Sequence, residues 1–247
     1  MNMKGNRPGL VILVGTVGSG KSTHLRLLYS KLKKNGLRVR MICLKTGHMF
    51  AFILEIFLVK ILMGNRKDVY PIRTLIDEKP LVFKRIFKLW ILLDLISITI
   101  KFLANIYLFM KLGYILLVEE YIPATISDYT YIGRVLQSPL KMNSFTIRYL
   151  LKLMNLCTPI QTIFLDAEND ELYIRYKLRG SPNEKEDYLR MQRTVLYRIA
   201  KTLSSNFLYI STSSRTLSEV HKLIINHIQM VNRVKPDFVP HLMNPVK

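Results

Sequence analysis

The stretch Leu10-Val11-Ile12-Leu13-Val14-Gly15-Thr16-Val17-Gly18-Ser19-Gly20-Lys21-Ser22-Thr23 decides how the rest of the chain is read. An uninterrupted apolar run of strand-forming residues stops at Gly15, and a helical pattern begins at Lys21 and ends at Gly36. Between them Gly15 to Ser22 matches G-x-x-x-x-G-K-S/T without a mismatch, a coincidence expected on the order of one per cent of the time in a chain this long. The glycines let successive backbone N–H groups turn inward on a phosphate, and the following helix adds its positive N-terminal dipole. Gly15, Thr16, Val17, Gly18, Ser19 and Gly20 are therefore read as the phosphate cradle of a bound ATP. Lys21 reaches the β- and γ-phosphates, and Ser22 ligates Mg²⁺.

Working outward, short β-type runs recur at Arg38 to Leu44, Tyr114 to Val118, Thr162 to Leu165 and Phe207 to Ile210. Most are continuously apolar, as in parallel strands buried on both faces. Helical patterns lie between them at Met49 to Met63, Leu81 to Leu112, Phe145 to Leu156, Asn169 to Arg179, Asn183 to Leu203 and Ser214 to Val231. The alternation predicts a three-layer α/β P-loop fold with a predominantly parallel sheet of about five strands. Residues 1–231 read as one domain with a hydrophobic helical region over about 46–112, and 232–247 as a Pro-containing tail. Gly64 to Pro80, with Gly, Asn and two Pro, reads as a connection.

The 247 residues are 49% hydrophobic and carry a formal net charge of +20. Such a chain can bury a core and is drawn to polyanions: nucleotides, nucleic acid or an anionic membrane surface. Cys43 and Cys157 form no CxxC or Cys/His cluster, so neither a disulfide framework nor a zinc site is indicated, and a reducing cytoplasm fits best. The apolar segments Met49 to Met63 and Ile86 to Met110 are interrupted by Glu55 and Lys60, and by Lys88, Asp94 and Lys101. Neither supplies the roughly 18 uncharged residues of a spanning helix, which leaves peripheral association with a membrane open. A homodimer is equally open.

A P-loop needs a carboxylate at a neighbouring strand end to hold Mg²⁺ or take a proton. Glu119 is the leading candidate, Glu120 stands beside it, and Asp166 is the rival. Strand alternation predicts that only one of the pair enters the site. Asp94, Ser97, Lys101 and Asn105 form a polar stripe on a long apolar helix, which meets a loop or solvent, lines a cleft facing an acceptor, or belongs to a membrane-apposed helix. Arg175 and Arg179 lie four apart on one helical face ahead of Gly180-Ser181-Pro182, where a basic segment can close over a triphosphate.

These parts, in this order, resemble thymidylate kinase over roughly Leu10 to Ile228. Gly20-Lys21-Ser22-Thr23 is similar to the family's GKST, which brings Thr23 into the nucleotide site. Thr162 to Asp166 followed by Arg175, Arg179 and Gly180 is similar to its strand and R-x-x-x-R-G lid. Tyr197 to Lys201 falls where the family has its tyrosine helix. The resemblance implies a kinase using ATP and Mg²⁺, with Lys21, Glu119, Arg175 and Arg179 catalytic and Asp94, Glu120 and Tyr121 on the acceptor side. There the sequence departs from the family: D-R-Y becomes Glu119-Glu120-Tyr121, and the arginine expected beside Asp94 is Leu95. Both missing arginines would have met an acceptor monophosphate. The small-molecule acceptor is thus a nucleoside monophosphate, the family default, or a less anionic lipid- or glycan-related compound. The contrasting reading is a nucleotide-dependent protein that binds membrane or RNA with little turnover.

Overall fold

A computed structural model of the chain describes residues 9–64, 71–157 and 160–233. The basic N-terminal segment up to residue 8 and the tail from residue 234 lie outside the described residues. Five strands, β1 (Leu10–Gly15), β2 (Val39–Leu44), β3 (Ile115–Glu120), β4 (Ile160–Asp166) and β5 (Asn206–Ser211), form one sheet in the order β2-β3-β1-β4-β5. Every neighbouring pair is parallel, as the continuously apolar runs predict. Along β1, Leu10, Ile12 and Val14 enter the core on one face, while Val11 and Leu13 enter the core on the other. The second face is covered by α1 (Lys21–Lys34) and α11 (Leu217–Arg233), through Leu25, Leu28 and Ile224.

The first face carries more helices: α2 (Phe50–Met63), α3 (Pro71–Glu78), α4 (Pro80–Lys101), α6 (Ile122–Val135) and α7 (Phe145–Asn155). α4 runs on through a π-helical turn, Phe102–Tyr107, into α5 (Leu108–Lys111). α8 (Asn169–Leu178) follows β4, and α9 (Glu186–Met191) passes through a second π-helical turn, Gln192–Leu196, into α10 (Tyr197–Leu203). α3 lies within the segment read as a connection, and α6 had no expected helix. Both begin with proline in the first turn, where its missing N–H costs nothing.

α2 and α4 run antiparallel. The Phe50 N–H donates to Ser97 Oγ at 3.2 Å, and Trp90 Nε1 donates to Glu55 Oε1 at 2.8 Å. Their facing sides bury Ala51, Glu55 and Val59 from α2 against Phe83, Phe87 and Trp90 of α4. The connections from β1 lead toward β2 and those from β4 toward β5, so a crevice opens at the carboxyl ends of β1 and β4. The glycine-rich turn lies there.

Candidate active site

Gly15 leaves β1 at φ 140°, and a Cβ there would lie 1.8 Å from the Leu165 carbonyl oxygen. Glycine at this position is set by the close approach of β4. The loop is held from several sides. The Thr16 hydroxyl donates to Asp166 Oδ1 at 3.0 Å, and the Tyr176 hydroxyl donates to the Val17 carbonyl at 2.7 Å. The Val17 N–H donates to Gln192 Oε1 at 3.1 Å, from the π-helical turn. Ser19 Oγ donates to the Thr16 carbonyl at 2.8 Å. Lys21 Nζ donates to the carbonyls of Gly15 and Thr16 at 3.0 and 2.9 Å and pairs with Glu120 Oε1 at 3.1 Å. Its ammonium thus stands over the loop, bound to weak or exchangeable partners. Thr23 lies on the exposed side of the first turn of α1.

The register of β1 and β3 pairs Leu13 with Glu119, which brings the end of β3 beside the loop. Ser22 Oγ donates to Glu119 Oε1 at 2.5 Å. Both Glu119 and Glu120 line the same cavity, contrary to the expectation that only one would. The cause is the backbone: Glu120 has φ 68° and Tyr121 φ 122°, so strand alternation ends one residue before the pair does. A hydroxyl and a carboxylate oxygen in contact make a hard-oxygen donor set. Among the described residues no group of three or more His, Cys, Asp or Glu could hold a metal by itself. The Ser22 hydroxyl and the Glu119 carboxylate are oxygen donors of the kind that Mg²⁺ takes, and Mg²⁺ draws its remaining ligands from waters and substrate phosphates.

The cavity, about 380 Å³, extends from Val17, Gly18, Gly20, Lys21 and Ser22 to a second wall. That wall takes Thr46 from the turn after β2, Ile72, Arg73 and Ile76 from α3, Asp128 and Tyr131 from α6, and Tyr188 from α9. Asp128 accepts from the Thr46 hydroxyl at 2.7 Å and the Tyr188 hydroxyl at 2.8 Å. Burial pushes its carboxyl up to about 7, with the two hydroxyl donors opposing. Arg73 pairs with Glu184, and Lys185 with Asp77. Five basic and five acidic side chains line the cavity, so it holds little of the excess positive charge of a strongly cationic chain.

The remaining predicted residues fall in different places. Arg179 lines the cavity. Arg175 instead donates to the Gly18 carbonyl and to Thr212 Oγ1, both at 3.1 Å, and pairs with Glu171, tying α8 to the loop. Asp166 accepts from Arg193 Nε at 3.1 Å on each oxygen, as well as from Thr16. Asp94 and Tyr121, expected on the acceptor side, are fully buried and stand outside the cavity lining. Asp94 accepts from the Gly47 and His48 N–H groups at 3.0 and 3.4 Å and from the Tyr129 hydroxyl at 2.8 Å. The polar stripe therefore meets other parts of the chain, Asp94 the turn ahead of α2, Ser97 the Phe50 N–H and Asn105 the Arg40 guanidinium of β2, and α3 supplies the cavity wall in its place. Leu95 faces an apolar groove on the other side of α4. Thr46, Arg73, Asp128, Tyr188 and Gln192 carry no local signature. Only the proline starts and apolar spacing of α3 and α6 could have pointed to two of their helices.

No family model and no curated protein matches the chain. Solved structures do. The thymidylate kinase of Candida albicans superposes with a TM-score of 0.53 at 16% identity, covering 92% of this chain and 93% of that one. The thymidylate kinase of Ehrlichia chaffeensis gives 0.50 at 18% identity, covering 90% and 99%. With its parallel five-stranded order and its P-loop after β1, the chain has the fold of the thymidylate kinases.

Proposed function

We propose that the chain is a phosphotransferase of thymidylate-kinase type, passing the γ-phosphoryl group of ATP to a small acceptor in the same cavity. The observation that carries this reading is convergence: Lys21, Ser22, Glu119, Glu120 and Arg179 face one cavity that continues to a separate polar and apolar wall. On nucleotide binding the loop amides from Gly15 to Gly20 take the phosphates, and Lys21 exchanges its carbonyl partners for phosphate oxygens. Ser22 and Glu119 would hold Mg²⁺, which when bound neutralises phosphate charge. Arg179 offsets charge on the transferring group, while Arg175 holds the loop in position through Gly18. For a hydroxyl acceptor Glu119 is placed to take the proton; a phosphate acceptor needs no such base.

The acceptor side favours a molecule with an apolar face and few negative charges. Ile72, Ile76, Tyr131 and Ile132 give the apolar wall. Thr46, Asp128 and Tyr188 offer hydrogen bonds. Two of the nearby cations, Arg73 and Lys185, are already engaged by carboxylates. A coupled ADP-release assay with product identification tests this against thymidylate, other nucleoside monophosphates, and neutral nucleoside, glycan and polyprenol alcohols. Phosphorylated product from a member of the panel, absent with Lys21→Ala, is expected. ATP turnover that never yields a phosphorylated acceptor would remove the kinase reading, and efficient thymidylate phosphorylation would remove the low-charge acceptor.

A further inference from the structure

We propose that the outer face of α2, α4 and α7 is a docking surface for an anionic lipid bilayer. α2, Phe-Ala-Phe-Ile-Leu-Glu-Ile-Phe-Leu-Val-Lys-Ile-Leu-Met, is apolar on its buried and its exposed sides alike, with Glu55 and Lys60 the only charged residues. A helix of that kind is ordinarily buried or in contact with lipid. Here only one side is buried. Ile53, Phe57 and Ile61 on the other side keep 63%, 57% and 61% of their surface exposed. α4 does the same, burying Phe83, Phe87 and Trp90 inward while Leu89, Leu92, Ile96 and Ile100 stand exposed. α2 and α4 pack against each other through their buried sides, and each keeps exposed apolar residues away from that contact. A groove of about 240 Å³ carries the apolar surface on to Phe145 and Tyr149 of α7. Exposed apolar residues in this number on three neighbouring helices exceed the scattered ones normal on a soluble monomer.

Charge selects the occupant. The exposed ionisable side chains on these helices are all basic: Lys60 on α2, Lys84, Arg85 and Lys88 on α4, Lys111 on α5, and Arg148 and Lys152 on α7. The only acids on them, Glu55 and Asp94, are buried. The antiparallel register sets Lys60 beside the N-terminal half of α4, so Lys60, Lys84, Arg85 and Lys88 lie toward one end of the helix pair, among the exposed Ile61, Leu81 and Leu89. Since acidic and basic side chains are equal in number in the cavity, most of the +20 excess is carried elsewhere, this face included. A second copy packed face to face would set lysine against lysine with no carboxylate to pair. Nucleic acid would match the cations and leave Ile53 and Phe57 in water. A bilayer with anionic headgroups satisfies both features. Among the described residues no helix is long and apolar enough to cross a membrane, so the helices lie on the surface.

Flotation of the full chain with phosphatidylcholine vesicles, with and without phosphatidylglycerol, tests the inference. Retention is expected on the mixed vesicles, at least about tenfold weaker on phosphatidylcholine alone or in high salt. Ile53→Ser with Phe57→Ser should weaken it by about a hundredfold, from the apolar area of two side chains. Lys84→Glu, Arg85→Glu and Lys88→Glu together should weaken it to a similar degree, at about fivefold or more for each cation. All altered positions are exposed, so both variants should keep the wild-type melting temperature and Mg·ATP affinity, which separates this surface from the proposed chemistry. Equal flotation of wild type and both variants, or none at all, would overturn the proposal. So would a lipid-free dimer that the serine variant converts to monomer, because a second copy would then cover the face.

Discussion

Replacing Glu120 with glutamine probes the least expected contact in the cavity, a carboxylate resting on the P-loop lysine. Lys21 Nζ and Glu120 Oε1 are 3.1 Å apart, with side-chain exposures of 6% and 17%. An incoming phosphate that also contacts Lys21 sits roughly 5 Å from that carboxylate, since both anions lie about 3 Å from one ammonium. At an effective dielectric of about 20 the repulsion is about 3 kcal/mol per unit charge. Ion screening and the open side of the cavity reduce it to about 1–2 kcal/mol. Glu120→Gln should therefore bind Mg·ATP roughly 5- to 30-fold more tightly than wild type. Losing the partly buried ion pair should lower unfolding stability by about 1 kcal/mol. Isothermal calorimetry with Mg·ATP and Mg·ADP, together with a urea melt, measures both. Tenfold weaker binding in the variant would refute the reasoning, because the carboxylate would then be holding the metal instead of opposing the phosphates.

Three further outcomes are expected. Gly15→Ala should abolish folding or cost more than about 4 kcal/mol, because its methyl group meets a strand carbonyl at 1.8 Å; circular dichroism decides. Glu55 is held up at about 7, against an ordinary 4.5, chiefly by burial and against the Trp90 hydrogen bond. Its folded value is raised, so the penalty is absent below pH 4.5 and grows until about pH 7, reaching at most about 3 kcal/mol. Glu55→Gln should match wild type in urea melts at the acid end and exceed it above pH 7. Asp128→Asn should raise the acceptor KM by about tenfold and leave Mg·ATP affinity unchanged, separating the two walls of the cavity in steady-state assays.

Residues whose environment is set by their neighbours in sequence were legible; those set by tertiary approach were not. The central strands β1, β3 and β4 follow from apolar runs and the P-loop from its glycines, because a doubly buried strand and a phosphate-binding turn each impose a local pattern, while the edge strands β2 and β5 are only partly buried and carry a weaker one. Glu119 was legible as a residue at a strand end. The inward turn of Glu120 was not, since it depends on a positive φ that no alternation rule foresees. The spacing of Asp94, Ser97, Lys101 and Asn105 puts them on one helical side, but nothing in it says that the Gly47 and His48 N–H groups would meet Asp94. The acceptor wall was the least legible part. Thr46, Arg73, Asp128 and Tyr188 come from four segments joined only by the crossing of α3, α6 and α9 over the sheet end.

Titration of the wild-type chain and Lys21→Ala with Mg·ATP tests most directly whether the P-loop cavity is a donor site. Saturable one-to-one binding is predicted for the wild type. A loss of at least about a hundredfold is predicted for the variant, because Lys21 supplies the charge-assisted bonds to the phosphates; the variant should stay folded, with stability lowered by about 1–2 kcal/mol through the lost contacts to Glu120 and the loop carbonyls. Equal affinity of the two proteins, or no binding by either, would contradict the account.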